Sequence, residues 1–314
     1  MTGLAIEALG VEKRYGPKQV LRGVDLEVRS GEVLCLLGRN GAGKTTTVEI
    51  LEGFTPATAG VIHVLGFNPA GRPPAMLERI GVVLQECGFP RHLRVAELID
   101  AWRGYYPSPR PLGELLDIAE LRDERATLVR RLSGGQRRRL DFALALAGDP
   151  DLIFLDEPTT GFDIDARRRC WTVIGNLRAL GKTILLTTHQ LDEAERLCDR
   201  VAILSGGRIA VAGTPRALAR QAGAPTRISF ALPEQLQPDA SGLPQNLGLN
   251  VSGGLATAST ADAPAALRAL LAWAAQHGSG GLDDLTVTPP GLEEAYLAVV
   301  GSDRVETNGG HPER

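Results

Sequence analysis

The sequence of 314 residues predicts an α/β protein in which a mainly parallel sheet is followed by a smaller α+β unit. The predicted strand Glu32–Leu37 is apolar from Val33 onward, and Leu152–Leu155 is apolar throughout; such runs are typical of strands buried on both faces. Because these runs alternate with segments of helical periodicity, a parallel core sheet is favoured. A break at Gln221–Pro225 coincides with a change of charge: 30 Lys and Arg and 27 Asp and Glu precede Gly223, and 4 and 10 follow from there. This reversal indicates two units with different roles.

The composition limits the classes of function. Hydrophobic residues make up 43% of the chain and charged residues 23%, an ordinary balance for a folded protein. The formal net charge of −3 creates no basic field, so no nucleic-acid partner is expected. The longest apolar run, Ala269–Ala275, is far shorter than the roughly 18 residues that span a membrane. Met1–Gly10 lacks the features of a signal peptide. We therefore expect a soluble, cytosolic chain.

The first elements are predicted from apolar patterning and turn signals. Leu4–Glu12 and Val20–Val28 are predicted strands, with a turn at Tyr15–Pro17 between them. The buried strand Glu32–Leu37 leads into a glycine-rich turn, and Lys44–Glu52 has helical character. This succession of strand, glycine-rich turn and helix is the first sign of a binding loop.

The rest of the first unit continues to alternate between strands and helices. Between Arg94 and Leu128 we predict several helices interrupted by prolines, since proline removes a backbone donor from a helix. Further strands are predicted over Val61–Leu65, Ile80–Gln85, Leu152–Leu155, Thr183–Thr187, Val201–Leu204 and Arg208–Val211. Further helices are predicted over Ser133–Ala147, Ile164–Leu180 and Gln190–Cys198.

The domain boundaries follow from the break in composition. We predict one domain over residues 1–222, a small domain over residues 226–301 and a flexible tail over residues 302–314. The small domain is close to the lower size limit for a core of its own. Its strands are predicted over Arg227–Leu232, Leu247–Ser252, Leu255–Ser259 and Leu282–Thr288, and its helices over Ala263–Gln276 and Gly291–Val300.

The strongest motif is the segment Gly38–Thr45, which fits G-x-x-x-x-G-K-[ST] between an apolar strand and a helix. Its glycines let backbone N–H groups turn toward phosphate oxygens, and the helix start adds partial positive charge. Lys44 is placed to neutralise the β- and γ-phosphates, and the Thr45 hydroxyl is placed to bind Mg²⁺. A chance glycine-rich turn is the alternative, and the flanking strand and helix argue against it.

An acidic pair, Asp156 and Glu157, follows the apolar run Leu152–Leu155. Asp156 is placed to hold Mg²⁺ directly or through its water, and Glu157 to orient or deprotonate a water that attacks the γ-phosphate. Taken alone, such a pair is more often a solvated turn. Its combination with the phosphate loop favours the catalytic interpretation.

A third motif, Leu132–Gln136, precedes the run Arg137–Arg139. A Ser-Gly-Gly at a helix start offers a hydroxyl and free N–H groups to an anion. A simple N-cap would need only Ser133, so the paired glycines suggest close approach by a ligand. The arginine run by itself is more often a solvated face.

With these motifs in this order, the chain from Leu4 to Ala222 resembles the nucleotide-binding subunit of an ABC transporter. Gly38–Thr45 matches the Walker A motif of that family, Leu132–Gln136 its signature motif and Leu152–Glu157 its Walker B motif. The resemblance implies a P-loop NTPase fold of the ABC cassette type. Such a cassette has a mainly parallel core sheet, an antiparallel β subdomain and a helical signature subdomain, here followed by a small α+β C-terminal domain.

The resemblance also implies roles for individual residues. ATP contacts are implied for Tyr15, Gly38, Arg39, Asn40, Gly41, Ala42, Gly43, Lys44, Thr45 and Thr46. Action on the ATP of a second subunit is implied for Leu132, Ser133, Gly134, Gly135 and Gln136, and a crossing loop for Asp163. Catalytic roles are implied for Glu157, His189 and Gln85, and Mg²⁺ ligation for Thr45, Gln85 and Asp156. Arg39 and Ile164 stand where many relatives carry proline, which alters none of the residue types needed for an active ATPase.

The resemblance implies an ATPase that works as a homodimer and drives a separate transmembrane permease from the cytoplasmic side of the membrane, with ATP and Mg²⁺ as its cofactors. Val64–Phe67, Ile80–Glu86, Thr187–Glu195 and Leu292–Leu297 resemble type-two exporters, which include daunorubicin-type drug-resistance and polysaccharide or lipid exporters. One alternative is a soluble ABC ATPase that acts on ribosomes, DNA or iron–sulfur assembly. Another is a nucleotide kinase, for which the signature motif and His189 would have no purpose.

Overall fold

The structure, a computed structural model, describes residues 3–83, 88, 90–223, 225–232, 247–276, 282–297 and 299. The chain divides into a larger compact unit that contains Met1–Pro215 and a smaller one over Arg216–Ala298. The domain limits 1–222 and 226–301 stay predictions. Within the described residues, no helix has the length and apolar character needed to cross a membrane.

The larger unit alternates strands and helices, as the apolar runs predict. Its strands are β1 Leu4–Tyr15, β2 Lys18–Arg29, β3 Val33–Leu37, β4 Ala59–Val64, β5 Ile80–Val83, β6 Leu152–Asp156, β7 Thr183–Thr188, β8 Arg200–Ser205 and β9 Arg208–Gly213. Its helices are α1 Lys44–Leu51, α2 Pro74–Leu77, α3 Val95–Arg103, α4 Leu112–Ile118, α5 Gly134–Ala145, α6 Ile164–Ala179 and α7 Leu191–Leu197, and α8 Pro215–Gln221 follows at the division between the units.

The core of the larger unit is a six-stranded sheet in the order β5-β6-β7-β3-β8-β9. All neighbours are parallel except β8 and β9. Every residue of β3 and β6 is buried, which explains why these strands are continuously apolar up to their last residues. Leu37 pairs with Thr188, and Asp156 pairs with Thr187, so the carboxyl ends of β3, β6 and β7 lie at one edge of the sheet. This edge collects the chemistry-bearing residues.

A three-stranded antiparallel sheet in the order β2-β1-β4 packs against the core sheet. Ile6 and Leu21 from this sheet share one apolar cluster with Leu36 and Phe154 of the core sheet. Tyr15 is the last residue of β1, directly before the turn that leads to β2.

The segment between Arg94 and Leu128 forms two α-helices, α3 and α4, in place of the several that we predicted. Pro107 and Pro109 lie between them, and Pro111 directly precedes α4. Proline fits this position because the first helical N–H groups have no partner within the helix.

The smaller unit is an antiparallel sheet in the order β11-β12-β10-β13 packed on one helix. Ile228 and Phe230 on one face of β10 pack with Leu270 and Trp273 of the helix. Its strands are β10 Thr226–Ala231, β11 Asn250–Ser252, β12 Leu255–Thr260 and β13 Thr286–Thr288, and its helices are α9 Ala263–Gln276 and a turn of helix over residues 292–297.

Candidate nucleotide site

The loop between β3 and α1 has the geometry expected of a phosphate-binding loop. Gly43 has φ 109°, a backbone conformation that favours glycine, and a Cβ atom at this position would also lie 2.6 Å from Leu21 Cδ2. The Gly38 N–H donates to the Thr188 carbonyl at 3.4 Å, which ties the loop to the end of β7. The loop thus wraps around the first turn of α1.

Lys44 is the first residue of α1 and is 5% exposed. Its Nζ donates to the carbonyls of Gly38 at 2.9 Å and Arg39 at 3.3 Å, and it lies 3.1 Å from Glu157 Oε1. A buried ammonium requires such partners. The loop of the first motif and the acidic pair of the second therefore meet at a single ion pair.

Glu157 is held in an unusual backbone conformation directly after β6. Its φ of 44° lies in the left-handed region, which is costly for a residue with a side chain and is typical of functional sites. The backbone N–H donates to the carbonyl of Thr187 at 3.1 Å and to its hydroxyl at 3.0 Å. The Thr160 hydroxyl donates to Glu157 Oε2 at 3.0 Å, and Nδ1 of His189 lies 3.3 Å from the same oxygen.

The pKa of Glu157 reflects opposing influences. Burial alone would raise this pKa, but the hydrogen bond and charge of Lys44, with smaller contributions from Thr160 and His189, hold it below the usual value. The carboxyl is therefore ionised at neutral pH. An ionised carboxylate is the form that can accept a proton from water.

Asp156 ends β6 and is 8% exposed. The Thr187 hydroxyl donates to its Oδ1, which fixes the carboxylate at the edge of the sheet. From α5, Arg138 donates to the backbone carbonyls of Asp156 at 3.2 Å and Pro158 at 3.0 Å. The segment that carries the acidic pair is thus held from β7 on one side and from α5 on the other.

Lys44 and Glu157 border a cleft of about 610 Å³. Tyr15, 47% exposed, lies at the cleft, and the Lys13 ammonium stands 4.8 Å from the centre of its ring. The predicted residues that line the cleft are Tyr15, Asn40, Gly41, Gly43, Lys44, Thr45, Thr46 and Glu157. Gly38, Arg39 and Ala42 belong to the same loop but are not among the described lining residues.

The segment Leu132–Gln136 occupies the start of α5 and contributes none of the described residues of the cleft. The Ser133 hydroxyl accepts from the Gln136 N–H at 3.2 Å, and Gln136 Oε1 accepts from the Ser133 N–H at 2.8 Å. This reciprocal pair is a capping box. Ser133 and Gly134 are exposed, so the helix start is open to an approaching group.

The other predicted residues are placed as follows. Asp163 is the N-cap of α6, where its Oδ1 accepts from the Ala166 N–H at 2.7 Å. His189 follows β7 and contacts Glu157, as described above. Gln85, for which catalysis and Mg²⁺ ligation were predicted, lies outside the described residues.

Some residues at the site were not predicted. Lys18 lines the cleft. The sequence drew attention to it only through the rarity of lysine, since four of the chain's 34 basic residues are lysines. Thr187 touches both acidic residues, and the Thr-Thr pair that ends an apolar strand was its signal. The prediction of a solvated arginine face was wrong for Arg138, which is 6% exposed. Successive residues of a helix point about 100° apart, so three arginines in a row cannot all lie on the same exposed face.

The fold and the site define a nucleotide-binding domain of the P-loop class. Comparisons with known proteins agree: residues 21–160 match the family described as ABC transporter, and residues 226–291 match the family described as ABC transporter domain-containing protein-like, C-terminal domain.

Relatives and solved structures cover most of the chain. The chain is 39% identical to Nod factor export ATP-binding protein I of Rhizobium sp., over 96% of this chain and 99% of that protein. It is 36% identical to a daunorubicin resistance ATP-binding protein of Streptomyces coeruleorubidus, over 97% and 98%. A solved ATP-binding subunit of an ABC transporter is 28% identical with a TM-score of 0.63, over 70% of this chain and 93% of that one. A dimeric bacterial ABC transporter cassette is 25% identical with a TM-score of 0.59, over 67% and 98%.

The chain therefore belongs to the family of ABC transporter ATP-binding subunits, in the class of type-two exporters. Its α/β cassette fold and its activity as an ATP-binding, ATP-hydrolysing subunit of an exporter are confirmed, and these relatives favour the exporter over the soluble ABC ATPase.

Proposed function

We propose that two copies of this chain enclose ATP between them, and that each site combines the Gly38–Thr45 loop of one copy with the Leu132–Gln136 segment of the other. The observation that carries the proposal is that Lys44 and Glu157 line an open cleft as an ion pair, with His189 in contact with the Glu157 carboxylate. The open helix start at Ser133 contributes none of the described residues of that cleft. Since helix starts with exposed N–H groups bind anions, this one is suited to the ATP phosphates of a second copy.

Within each site, the residues take distinct roles. Tyr15 stacks on the adenine, the loop with Lys44 holds the phosphates, and Glu157 accepts a proton from the attacking water while His189 contacts the γ-phosphate. Asp163 reaches toward the second copy from the start of α6. These roles use the residue types and the positions described above.

Mg²⁺ suits the oxygen donors at this edge. Thr45 lines the cleft and the Asp156 carboxylate is held by Thr187, and hydroxyl and carboxylate oxygens are hard donors that Mg²⁺ prefers. Thr45, Asp156 and Gln85 would hold the ion, which neutralises phosphate charge when bound. The chain's own contribution is to fix the Asp156 carboxylate in advance.

The transport step requires a separate membrane partner. We propose that the dimer binds a transmembrane permease at the cytoplasmic face of the membrane, and that its opening and closing drive export. The names of the relatives, which refer to Nod factor export and daunorubicin resistance, support export over import. Co-purification of a polytopic membrane protein would support this assignment, and co-purification of ribosomes or DNA would contradict it.

The direct test compares ATP hydrolysis by the purified chain and by the Lys44→Ala variant. Lys44 is a buried cation with three oxygen partners, so its removal deletes the charge that faces the phosphates. We expect weaker ATP binding and loss of hydrolysis, measured by isothermal calorimetry and phosphate release. Retention of both properties by the variant would show that the loop is not the site.

A further inference from the structure

Glu193 is a buried carboxyl to which the proposed function gives no role. It lies in α7, four residues after His189, and its exposed fraction is 0%. Its Oε1 accepts from the Thr159 hydroxyl at 3.0 Å and from the Trp171 indole Nε1 at 3.1 Å. Burial raises the pKa of Glu193, opposed by the hydroxyls of Thr188 and Thr159 and by the indole. Burial of an acidic side chain costs free energy even when several donors contact it, so its position in the interior needs a reason.

The two donors come from the segment between the catalytic pair and the crossing loop and from the helix that follows it. Thr159 is two residues beyond Glu157, and its neighbour Thr160 donates to the Glu157 carboxylate at 3.0 Å. Trp171 lies on α6, the helix that Asp163 caps. One oxygen atom of Glu193 therefore joins this segment to α6.

A second connection joins α6 to the turn that carries His189. Arg167 of α6 donates to Gln190 Oε1 at 2.9 Å, and its guanidinium stacks on the Trp171 ring at 5.1 Å. The Gln190 N–H donates to the Thr188 hydroxyl at 3.0 Å. The turn and α6 are thus joined at two separate places, and Glu193 provides the fully buried one.

We propose that Glu193 is a positioning residue whose carboxylate fixes residues 158–163 to the turn that carries His189, so that Glu157, His189 and Asp163 stay aligned when a second copy engages Asp163. The inference rests on the proposed function. Since none of the donors to this network comes from the Gly38–Thr45 loop, its loss acts on the rate of hydrolysis and spares ATP binding.

The first test measures kcat and KM for ATP with the full chain and three variants. Glu193→Ala removes the acceptor, and we expect a fall in kcat of about 10–100-fold with KM changed less than about threefold. Glu193→Gln keeps an amide oxygen that can accept both bonds, and we expect kcat within about threefold of the original. Glu195→Ala is the matched control on the exposed side of the same helix, with the expected kcat within about twofold.

A second pair of variants covers the case in which Glu193→Ala does not fold. Thr159→Val deletes one donor at nearly constant volume, and Trp171→Phe deletes the other while it keeps a smaller aromatic ring. Each is expected to lower kcat by about 3–10-fold at unchanged KM. Combined, their effects should be less than additive, because both donors act on one oxygen.

The outcomes separate the inference from its basis. The inference would be overturned if kcat per ATP-binding site stayed at its original value in all three variants, even with lowered melting temperatures. Glu193 would then be a structural residue only. The three variants are Glu193→Ala, Thr159→Val and Trp171→Phe. A rise in KM at constant kcat would overturn it as well. An unsubstituted chain that hydrolyses no ATP would overturn the proposed function itself.

Discussion

Substitution of Glu157 by glutamine separates ATP binding from hydrolysis most cleanly. The glutamine keeps the shape of the side chain and one acceptor oxygen. That oxygen can accept from Lys44 Nζ, which lies 3.1 Å from Glu157 Oε1, and the amide NH2 then takes the place of Oε2, which accepts from the Thr160 hydroxyl at 3.0 Å. The glutamine lacks the ionised carboxylate that the lowered pKa of Glu157 maintains at neutral pH. The substitution therefore removes the proton acceptor and the negative charge beside Lys44 while it keeps the size of the side chain.

The two expected magnitudes differ. Loss of a general base lowers turnover by about 10²–10⁴-fold, which corresponds to about 2.7–5.4 kcal/mol in the activation barrier. Stability should change much less, by about 1 kcal/mol, because Lys44 keeps the carbonyls of Gly38 and Arg39 and is not stranded as a buried charge. That change lowers the melting temperature by about 2–4 °C.

The assay combines phosphate release under saturating ATP, calorimetric titration with ATP and thermal unfolding. We expect the affinity for ATP to stay the same or increase, because a negative charge near the phosphates is removed. Glu78→Gln, an exposed substitution of the same kind, serves as control and should retain full turnover. Turnover within tenfold of the original in Glu157→Gln would refute the assignment of Glu157 as the base, and so would a loss explained by failed ATP binding.

Two further variants test other parts of the structure. Burial raises the pKa of Glu52 to about 8, with Asp156 and Glu49 adding to the shift and Arg72 opposing it, and its Oε1 lacks a hydrogen-bond partner. Its contribution to stability is therefore full below pH 4.5, the ordinary value, and is lost as pH rises toward about 8. The Glu52→Gln variant should not show this loss. Its free energy of unfolding in urea, compared with that of the original chain, should rise by on the order of 2–4 kcal/mol between pH 5 and 8. Parallel pH profiles of the two proteins would contradict the burial of an uncompensated carboxyl. Ser133→Arg, which blocks the open start of α5, should abolish hydrolysis in the homodimer while the Gly38–Thr45 loop still binds ATP, and unchanged turnover would contradict a role for this segment.

Local patterns in the sequence were sufficient to predict the backbone of the site. The apolar runs that become β3, β6 and β7 end where the chemistry begins, and in a parallel sheet those ends share one edge. The positions of the glycine-rich loop, the acidic pair and His189 at that edge follow from this rule. Ser133 also caps α5, the role that a serine at a helix start can have without the two glycines.

Side-chain contacts between distant segments could not be predicted in the same way. The ion pair of Lys44 with Glu157 depends on how far each side chain extends from the edge of the sheet. The apolar pattern along either segment does not determine that distance. Arg138 and Glu193 belong to runs of charged residues that are expected to be solvated. Only the orientation of each helix in the fold shows which residue of the run is buried. The left-handed backbone of Glu157 occurs together with its hydrogen bonds to Thr187 of a distant strand, and the residue type alone gave no signal for it.

The central claim is that each ATP site is shared between two copies, and a complementation measurement tests it most directly. Homodimers of Lys44→Ala and of Ser133→Arg are each expected to be inactive. In a mixed dimer both substitutions fall on one site and the other site is intact, so mixing equal amounts should restore about one quarter of the original activity. A mixture that stays as inactive as its two components would contradict the shared site.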